Sequence, residues 1–154
     1  MQPGYQLVSL RELASVTSSL LALSETLAGR AGYLPLLERG LVGVVLVDLS
    51  WCGGVGEAKK VACLAKSYLR PVALHDRTGP VSLVASTHRS INVPNAFIQE
   101  TVRAHCSSWY GELVTNLPPI VDGRIRPPEG AGLGTELHKG VRRRRDASTR
   151  TSSL

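Results

Sequence analysis

Four short apolar segments each end on an ionisable residue, and these endings recur at nearly constant spacing. Glu25, Asp48, His75 and Glu100 are separated by 23, 27 and 25 positions, about the length of one strand and its crossover helix. Strands that alternate with helices in this way form right-handed units in a parallel sheet, and all their carboxyl ends point the same way. The spacing therefore predicts an α/β fold with four ionisable side chains along one rim.

The clearest strand covers residues 42–47, with the sequence VGVVLV. It is apolar on both faces, which is typical of a strand in a parallel sheet that is covered on both sides. Residues 72–74 follow Pro71 and predict a second such strand. Residues 20–23 and 96–98 are apolar runs of similar length, and we expect them to be the two remaining strands.

The stretches between these strands carry helical periodicity. Residues 54–69 place three alanines, Val61 and Leu69 on one face and charged side chains on the other, which predicts an amphipathic helix. Similar patterns predict four further helices, at residues 7–16, 34–39, 82–91 and 101–114. In the first of them, Leu7, Leu10, Leu13 and Val16 share the face that we expect to be buried.

Size and composition limit the class of protein. The chain has 154 residues, of which 43% are apolar, so it is long enough for one domain with a core. It has no run of eighteen apolar residues, and its amino terminus has neither the basic nor the apolar region of a secretory signal. Three cysteines without a CxxC motif argue against a disulfide framework or a zinc site. We therefore expect no membrane span and a reduced, cytoplasmic protein.

The net charge of +6 comes largely from the end of the chain. Five arginines lie within VRRRRDASTR, and no aromatic residue is interleaved with them. This pattern favours a solvated tail over an arm that binds nucleic acid, so we expect nucleic acid not to be a partner. The predicted organisation is half of a barrel at residues 1–117, a Gly/Pro-rich extended segment at 118–140 and a basic, disordered tail at 141–154.

Asp48 and His75 end neighbouring strands and form a candidate catalytic pair. A carboxylate on one ring nitrogen of a histidine fixes the tautomer, raises the basicity of the ring and leaves the other nitrogen for a substrate proton. The alternative is a structural ion pair without a catalytic role. Asp76, which precedes Arg77-Thr78-Gly79, is interpreted as a turn former, with contact to substrate as the alternative.

The roles of the two glutamates are less constrained by the sequence. Glu25 is a candidate metal ligand, or a carboxylate that caps the following helix. Glu100 is a candidate for hydrogen bonding a substrate oxygen, or a partner that neutralises Arg103. Three histidines and one cysteine are interpreted as structural or solvated: His88, His105, His138 and Cys52.

Several motifs together resemble one family of enzymes. The series LSET, VDLSWCGGVGEAKKVACLA, LHDRTGPVSL and PNAFIQE, followed by GRIRPPEGAGLGTEL, is similar to the mandelate racemase/muconate lactonizing enzyme family of the enolase superfamily. The most similar members are its acid-sugar dehydratases. The resemblance covers residues 7–150, and the motifs occur in the family's order.

The resemblance implies a modified (β/α) barrel, in which this chain supplies strands five to eight. Glu25 then matches the magnesium-binding glutamate after the fifth strand, and Asp48 and His75 match the dyad after the sixth and seventh. Glu100 matches the glutamate after the eighth strand that hydrogen-bonds the enolate or carboxylate oxygen. Magnesium holds the carboxylate of a sugar acid, and His75 removes the α-proton or protonates the departing β-hydroxyl. The product is a 2-keto-3-deoxy acid.

The chain also departs from the family's pattern. The family's capping domain, its basic residues on the second strand and two further magnesium carboxylates would all precede Met1. One glutamate is a poor magnesium site, and four strands leave two open sheet edges. We therefore expect the carboxyl-terminal half of a dehydratase that is inactive alone. The alternative is a non-catalytic half-barrel that pairs with a missing amino-terminal half or with itself as a homo-oligomer.

Overall fold

A computed structural model describes residues 3–151 of the chain. It shows four parallel strands that alternate with helices and form one sheet in the order β1-β2-β3-β4. The predicted α/β class and the partial barrel are confirmed. The strands are β1 at Ala22–Leu23, β2 at Val44–Val47, β3 at Val72–Leu74 and β4 at Ala96–Gln99.

Helices connect the strands and follow the last one. The helices are α1 at Pro3–Val16, α2 at Gly29–Glu38, α3 at Leu49–Cys52, α4 at Gly54–Ser67, α5 at Pro80–Ser90, α6 at Arg103–Cys106 and α7 at Tyr110–Leu113. A two-stranded antiparallel hairpin follows, with β5 at Ile120–Val121 and β6 at Arg124–Ile125. A 3-10 turn at Val141–Arg143 is the last element.

The register of the central strands places their carboxyl ends side by side. Val47 pairs with Leu74, and the His75 amide donates to the Val47 carbonyl at 3.0 Å. The Glu100 amide donates to the Leu74 carbonyl at 2.9 Å in the same way. The sheet hydrogen bonding thus continues one residue past each strand and fixes the backbone of both ionisable residues.

The core lies between the central strands and the helices that pack on them. Both faces of β3 are buried, and α4 turns most of the predicted apolar stripe toward the sheet. Removing such side chains from water is the main favourable term in folding. The buried face of α4 consists of Ala58, Val61, Ala62 and Ala65. The prediction was wrong for Leu69, which lies beyond the end of α4 and is 90% exposed.

Two helix predictions were wrong. The helix predicted at 34–39 begins at Gly29 and includes Pro35, because packing of its apolar residues on the core outweighs local propensity. The single helix predicted at 101–114 is two short turns, α6 and α7. Between them, the hydroxyls of Ser107 and Ser108 donate to carbonyls of α6, and such bonds compete with continuation of a helix.

The outer parts of the sheet are much less covered than its centre. The expectation that α1 buries its whole apolar face was wrong at its end, where Leu13 is 47% exposed and Val16 82% exposed. On β4, Phe97 and Ile98 are 65% and 50% exposed. Within the described residues, β1 and β4 each pair on one side only, so the sheet has two open edges.

The carboxyl-terminal segment packs back on the end of α7. Val114 and Leu137 form an antiparallel bridge, and the His138 amide donates to the Leu113 carbonyl at 3.0 Å. The separate organisation of residues 118–140 and the disorder of the tail stay predictions. Residues 1–2 and 152–154, which belong to the predicted half-barrel and tail, lie outside the described residues. No helix within residues 3–151 has the length and apolarity that crossing a membrane requires.

Candidate active site

Asp48 and His75 are joined by a direct hydrogen bond at the carboxyl ends of β2 and β3. His75 Nδ1 lies 2.9 Å from Asp48 Oδ2. The Asp48 side chain is fully buried, whereas 21% of the His75 side chain is exposed. As a carboxylate, Asp48 can only accept hydrogen bonds, so this contact assigns the proton to Nδ1 and leaves Nε2 as the basic nitrogen.

Asp48 is held by the start of the next helix as well as by His75. It is the N-cap of α3, and its Oδ1 accepts from the Ser50 amide at 2.7 Å. Aspartate favours this position because its carboxylate accepts one of the unpaired amides of the first helical turn. Thr78 donates a further hydrogen bond from the loop after β3. The buried carboxylate therefore has several donors that compensate its lost hydration.

Glu100 follows β4 and lies within the electrostatic reach of the other site residues. Burial raises the pKa of Glu100, the charge of His75 lowers it, and the charges of Glu25 and Asp76 raise it. The net direction is upward, which favours the protonated form. The alternative role of Glu100 was to neutralise Arg103. That interpretation was wrong, because no ion pair joins the two side chains among residues 3–151.

Asp76 is a buried hydrogen-bond acceptor, so its interpretation as a turn former was wrong, and its contact with substrate stays a prediction. Its Oδ1 accepts from the Tyr110 hydroxyl at 3.0 Å, and its Oδ2 accepts from the Val102 amide at 3.2 Å. Burial raises the pKa of Asp76, and these two hydrogen bonds partly offset the effect. Asp76 thereby fastens the loop that contains Glu100 to the end of β3.

Glu25 follows β1 at the open edge of the sheet. Ser24 before it has φ of 103°, and its hydroxyl donates to the Leu46 carbonyl of β2 at 3.0 Å. Positive φ is unusual for serine, and this bond holds the turn in place. The N-cap of α2 is Ala28, so the helix-cap interpretation of Glu25 was wrong. Glu25 instead lines a cavity of about 580 Å³ between α1, β1 and α2.

A magnesium ion does not fit the residues of this chain alone. Within residues 3–151 no three His, Cys, Asp or Glu side chains are grouped so that they could hold a metal ion. Magnesium needs octahedral oxygen coordination from carboxylates, substrate and water. Glu25 can therefore be at most one ligand of a larger set.

The other histidines and Cys52 contact backbone carbonyls, aromatic rings or the core. The rings of His88 and His138 contact backbone carbonyls, and His105 packs against Trp109. Cys52 is buried in α3, and burial raises the pKa of its thiol.

Three polar residues that support the site are not evident from the sequence pattern. Ser50, Thr78 and Tyr110 all bond to a site carboxylate or to Asp76. The spacing of Asp48 and Ser50 could have indicated an N-cap, since the amide two residues after a capping aspartate is a usual donor. No sequence pattern connects Tyr110 with Asp76, because 34 positions separate them.

Comparison with known families and structures gives a consistent result. The family described as enolase C-terminal domain-like matches residues 1–141. A D-xylonate dehydratase of Haloferax volcanii is 32% identical over 79% of this chain and 29% of its own length. A D-galactonate dehydratase of Ralstonia pickettii is 31% identical over 84% of this chain and 35% of its own length.

Solved structures extend the similarity to the fold. An enolase of the mandelate racemase subgroup from Agrobacterium tumefaciens is 50% identical, with a TM-score of 0.81 over 89% of this chain and 37% of its own. An enolase protein from Sargasso Sea environmental sequences is 38% identical, with a TM-score of 0.82 over 91% of this chain and 37% of its own. The chain thus spans about a third of the length of the relatives it matches, and it belongs to the enolase C-terminal domain-like family, in its mandelate racemase/muconate lactonizing enzyme subgroup.

Proposed function

We propose that this chain is the carboxyl-terminal half of a magnesium-dependent acid-sugar dehydratase, a hydro-lyase that acts on a sugar acid. The observation that carries the proposal is the 2.9 Å contact between His75 Nδ1 and Asp48 Oδ2 at two adjacent parallel strand ends. The relatives described as D-xylonate and D-galactonate dehydratases support the substrate class. Carboxyl ends of parallel strands are where barrel enzymes carry their catalytic groups.

His75 moves the substrate proton in this proposal. With the ring proton on Nδ1, Nε2 can accept a proton from the carbon next to the substrate carboxylate, or return one to the departing β-hydroxyl. The α-proton and the β-hydroxyl leave together as water. The resulting enol tautomerises to a 2-keto-3-deoxy acid, so atoms and charges balance without a redox partner.

Glu100 stabilises the charge that develops on the substrate. The raised pKa of Glu100 favours the protonated form, which can donate a hydrogen bond to a carboxylate or enolate oxygen. Donors that are positioned in advance at a developing negative charge account for much of the rate of such reactions. Asp76 supports this role by bonding the Val102 amide two residues further along the chain.

Members of the enolase superfamily use a divalent metal ion. Glu25 is the one strand-end carboxylate of this chain that we assign to such an ion. The remaining ligands of the ion would have to come from outside the chain, since the described residues do not group three ligands. We therefore propose that the chain is inactive until a missing amino-terminal half completes the site.

The second candidate function is a non-catalytic half-barrel that pairs with a copy of itself or with a missing partner. The open edges of β1 and β4 favour it, together with the exposed Phe97 and Ile98. Unpaired sheet edges readily add further strands. Two copies related by a two-fold rotation axis along the barrel would form a closed barrel of eight strands.

The cysteines support a cellular location for the proposed enzyme. Cys52, Cys63 and Cys106 are all free thiols. Free thiols are typical of reducing compartments. We therefore include a cytoplasmic location in the proposal.

The test measures 2-keto-3-deoxy acid formed from a panel of sugar acids with magnesium. The chain is assayed alone and after mixing with a truncated Agrobacterium relative from which the matching region has been deleted. We expect activity in the mixture only, and we expect His75→Asn to abolish it because the proton carrier is removed. His138→Asn, at an exposed histidine in the carboxyl-terminal segment, is the matched control.

Two results would contradict the proposal. A stable, folded mixture that converts no sugar acid would favour the non-catalytic half-barrel, whose pairing size-exclusion chromatography would show. Activity that survives His75→Asn would exclude this histidine as the proton carrier.

A further inference from the structure

Thr78 reaches the buried carboxylate of the Asp48–His75 pair from the loop after β3. Its hydroxyl lies 3.3 Å from Asp48 Oδ1 and 3.2 Å from Asp48 Oδ2. Gly79, with φ of 129°, and Pro80, the first residue of α5, follow directly. Few residues other than glycine adopt such a φ, and proline fixes its own, so the backbone beside Thr78 is constrained.

The Ser50 hydroxyl is a neighbour of the Thr78 hydroxyl. The Ser50 hydroxyl lies 3.1 Å from Thr78 Oγ1 and 3.2 Å from Ser82 Oγ. When Ser50 donates to Thr78, the oxygen of Thr78 is the acceptor, and its own proton remains for Asp48. The Ser50 hydroxyl thus lies within donating distance of both Ser82 and Thr78, and Thr78 in turn donates to the buried carboxylate of Asp48.

The contact with both carboxylate oxygens has a geometric consequence. The Ser50 amide bonds Oδ1 alone. If this were the hydrogen bond that holds the carboxylate, its plane could still rotate about Oδ1. A donor between Oδ1 and Oδ2 fixes the plane. The Oδ2 lone pair is then aimed at His75 Nδ1, which is the bond that determines the ring tautomer.

We propose that Thr78 is a positioning residue for the Asp48–His75 pair, and that the Ser50 hydroxyl orients it. The role rests on the proposed function of His75 as the proton carrier. Thr78 itself does not exchange a proton with substrate. It keeps His75 in the Nδ1-protonated form whose Nε2 is available for chemistry.

The experiment measures the tautomer of His75 directly in the full chain. Long-range proton–nitrogen NMR spectra of the ¹⁵N-labelled protein distinguish the two neutral forms of a histidine ring. His75→Gln identifies the signal by its loss. Thr78→Val removes the hydroxyl at similar volume, and Thr78→Ser keeps it and serves as the matched control.

We expect the ratio of Nδ1-protonated to Nε2-protonated His75 to fall about fivefold in Thr78→Val, a fraction of what a hydrogen bond to a charged group can contribute. Thr78→Ser should retain the original ratio. An unchanged ratio in folded Thr78→Val would overturn the proposal. A Thr78→Ser ratio as low as that of Thr78→Val would also overturn it, because the methyl group rather than the hydroxyl would then be responsible.

Ser50→Ala provides a second variant in case Thr78→Val does not fold. It keeps the backbone amide that bonds Asp48 and removes only the hydroxyl that orients Thr78. A lower tautomer ratio in this variant supports the proposal, and an unchanged ratio contradicts it. Because no substrate, metal or partner is present in these measurements, their outcome is independent of whether the chain takes part in sugar-acid dehydration.

Discussion

The two central strands and the two outer strands contribute to the candidate site in very different ways. β2 and β3 pair on both sides, and the residues that end them, Asp48 and His75, are bonded to each other. β1 and β4 pair on one side only. Glu25 and Glu100, which end these outer strands, are only partly buried.

The difference shows which parts of the site this chain can organise by itself. A carboxylate with hydrogen-bond donors from its own chain is fixed before any ligand arrives. A carboxylate at an open edge of the sheet has its backbone fixed, but its side chain is only partly covered. The central pair is thus preorganised, and the outer pair depends on what covers the edges.

The largest expected contrast is in the core around the two kinds of strand. Leu74→Ala on β3 removes a side chain that is 1% exposed and should lower the free energy of unfolding by about 2–5 kcal/mol. Phe97→Ala on β4 removes an exposed ring and should change it by less than about 0.5 kcal/mol. Urea unfolding of both variants measures the contrast.

A similar loss in both variants would contradict the comparison between centre and edge. It would mean that Phe97 is covered in solution. Size-exclusion chromatography of the wild-type chain then tells whether a second copy provides the cover.

The next contrast is between the two kinds of strand-end carboxylate. Asp48→Ala removes the N-cap of α3 and the hydrogen bonds that the buried carboxylate accepts, so we expect the free energy of unfolding to fall by about 2–3 kcal/mol. Glu25→Gln should stay within about 0.5 kcal/mol. Thermal unfolding of both variants at neutral pH measures the two effects. A large loss in Glu25→Gln would indicate that the outer carboxylate is as well organised as the central one.

Periodicity in the sequence predicted the sheet and the positions of its ends. The four ionisable residues follow apolar runs, and both signals are local, so they can be read without the structure. The order and direction of the strands follow from the repeated strand-helix pattern. The pairing of Asp48 with His75 was predictable for the same reason, because adjacent parallel strands end side by side.

The surroundings of these residues were not predictable. Asp76 looks like a turn former because its neighbours Arg77, Thr78 and Gly79 favour turns, yet it is buried by Tyr110 from a distant helix. Its burial depends on tertiary packing, which local propensity does not contain. The exposed end of α1 is a related case, since a periodic apolar face does not reveal whether a partner covers it.

The pH dependence of stability should separate Glu100 from the central pair. Its pKa is raised in the folded chain, so the folded state binds a proton more strongly than the unfolded state. The contribution of Glu100 to the free energy of unfolding is therefore lost as the pH rises from the ordinary carboxyl pKa to the raised pKa of the folded state. Glu100→Gln removes this loss, and its advantage over the wild type should grow as the pH increases.

Urea midpoints between about pH 4 and pH 8 measure this difference. Glu129→Gln, at an exposed position, controls for the removal of one negative charge. A constant offset between Glu100→Gln and the wild type across the range would contradict the prediction.

The smallest expected effect is that of magnesium on the chain alone. The described residues do not group three ligands around Glu25, so we expect about 10 mM Mg²⁺ to raise Tm by less than about 1 °C, since even a Kd equal to that concentration would add only about 0.4 kcal/mol. Differential scanning fluorimetry with and without the ion measures the shift, and Glu25→Gln is the control. A saturable increase of several degrees that disappears in Glu25→Gln would show that the edge carboxylate binds the ion with ligands from this chain alone. The outer strands would then be organised by this chain itself, and the distinction between its centre and its edges would not hold.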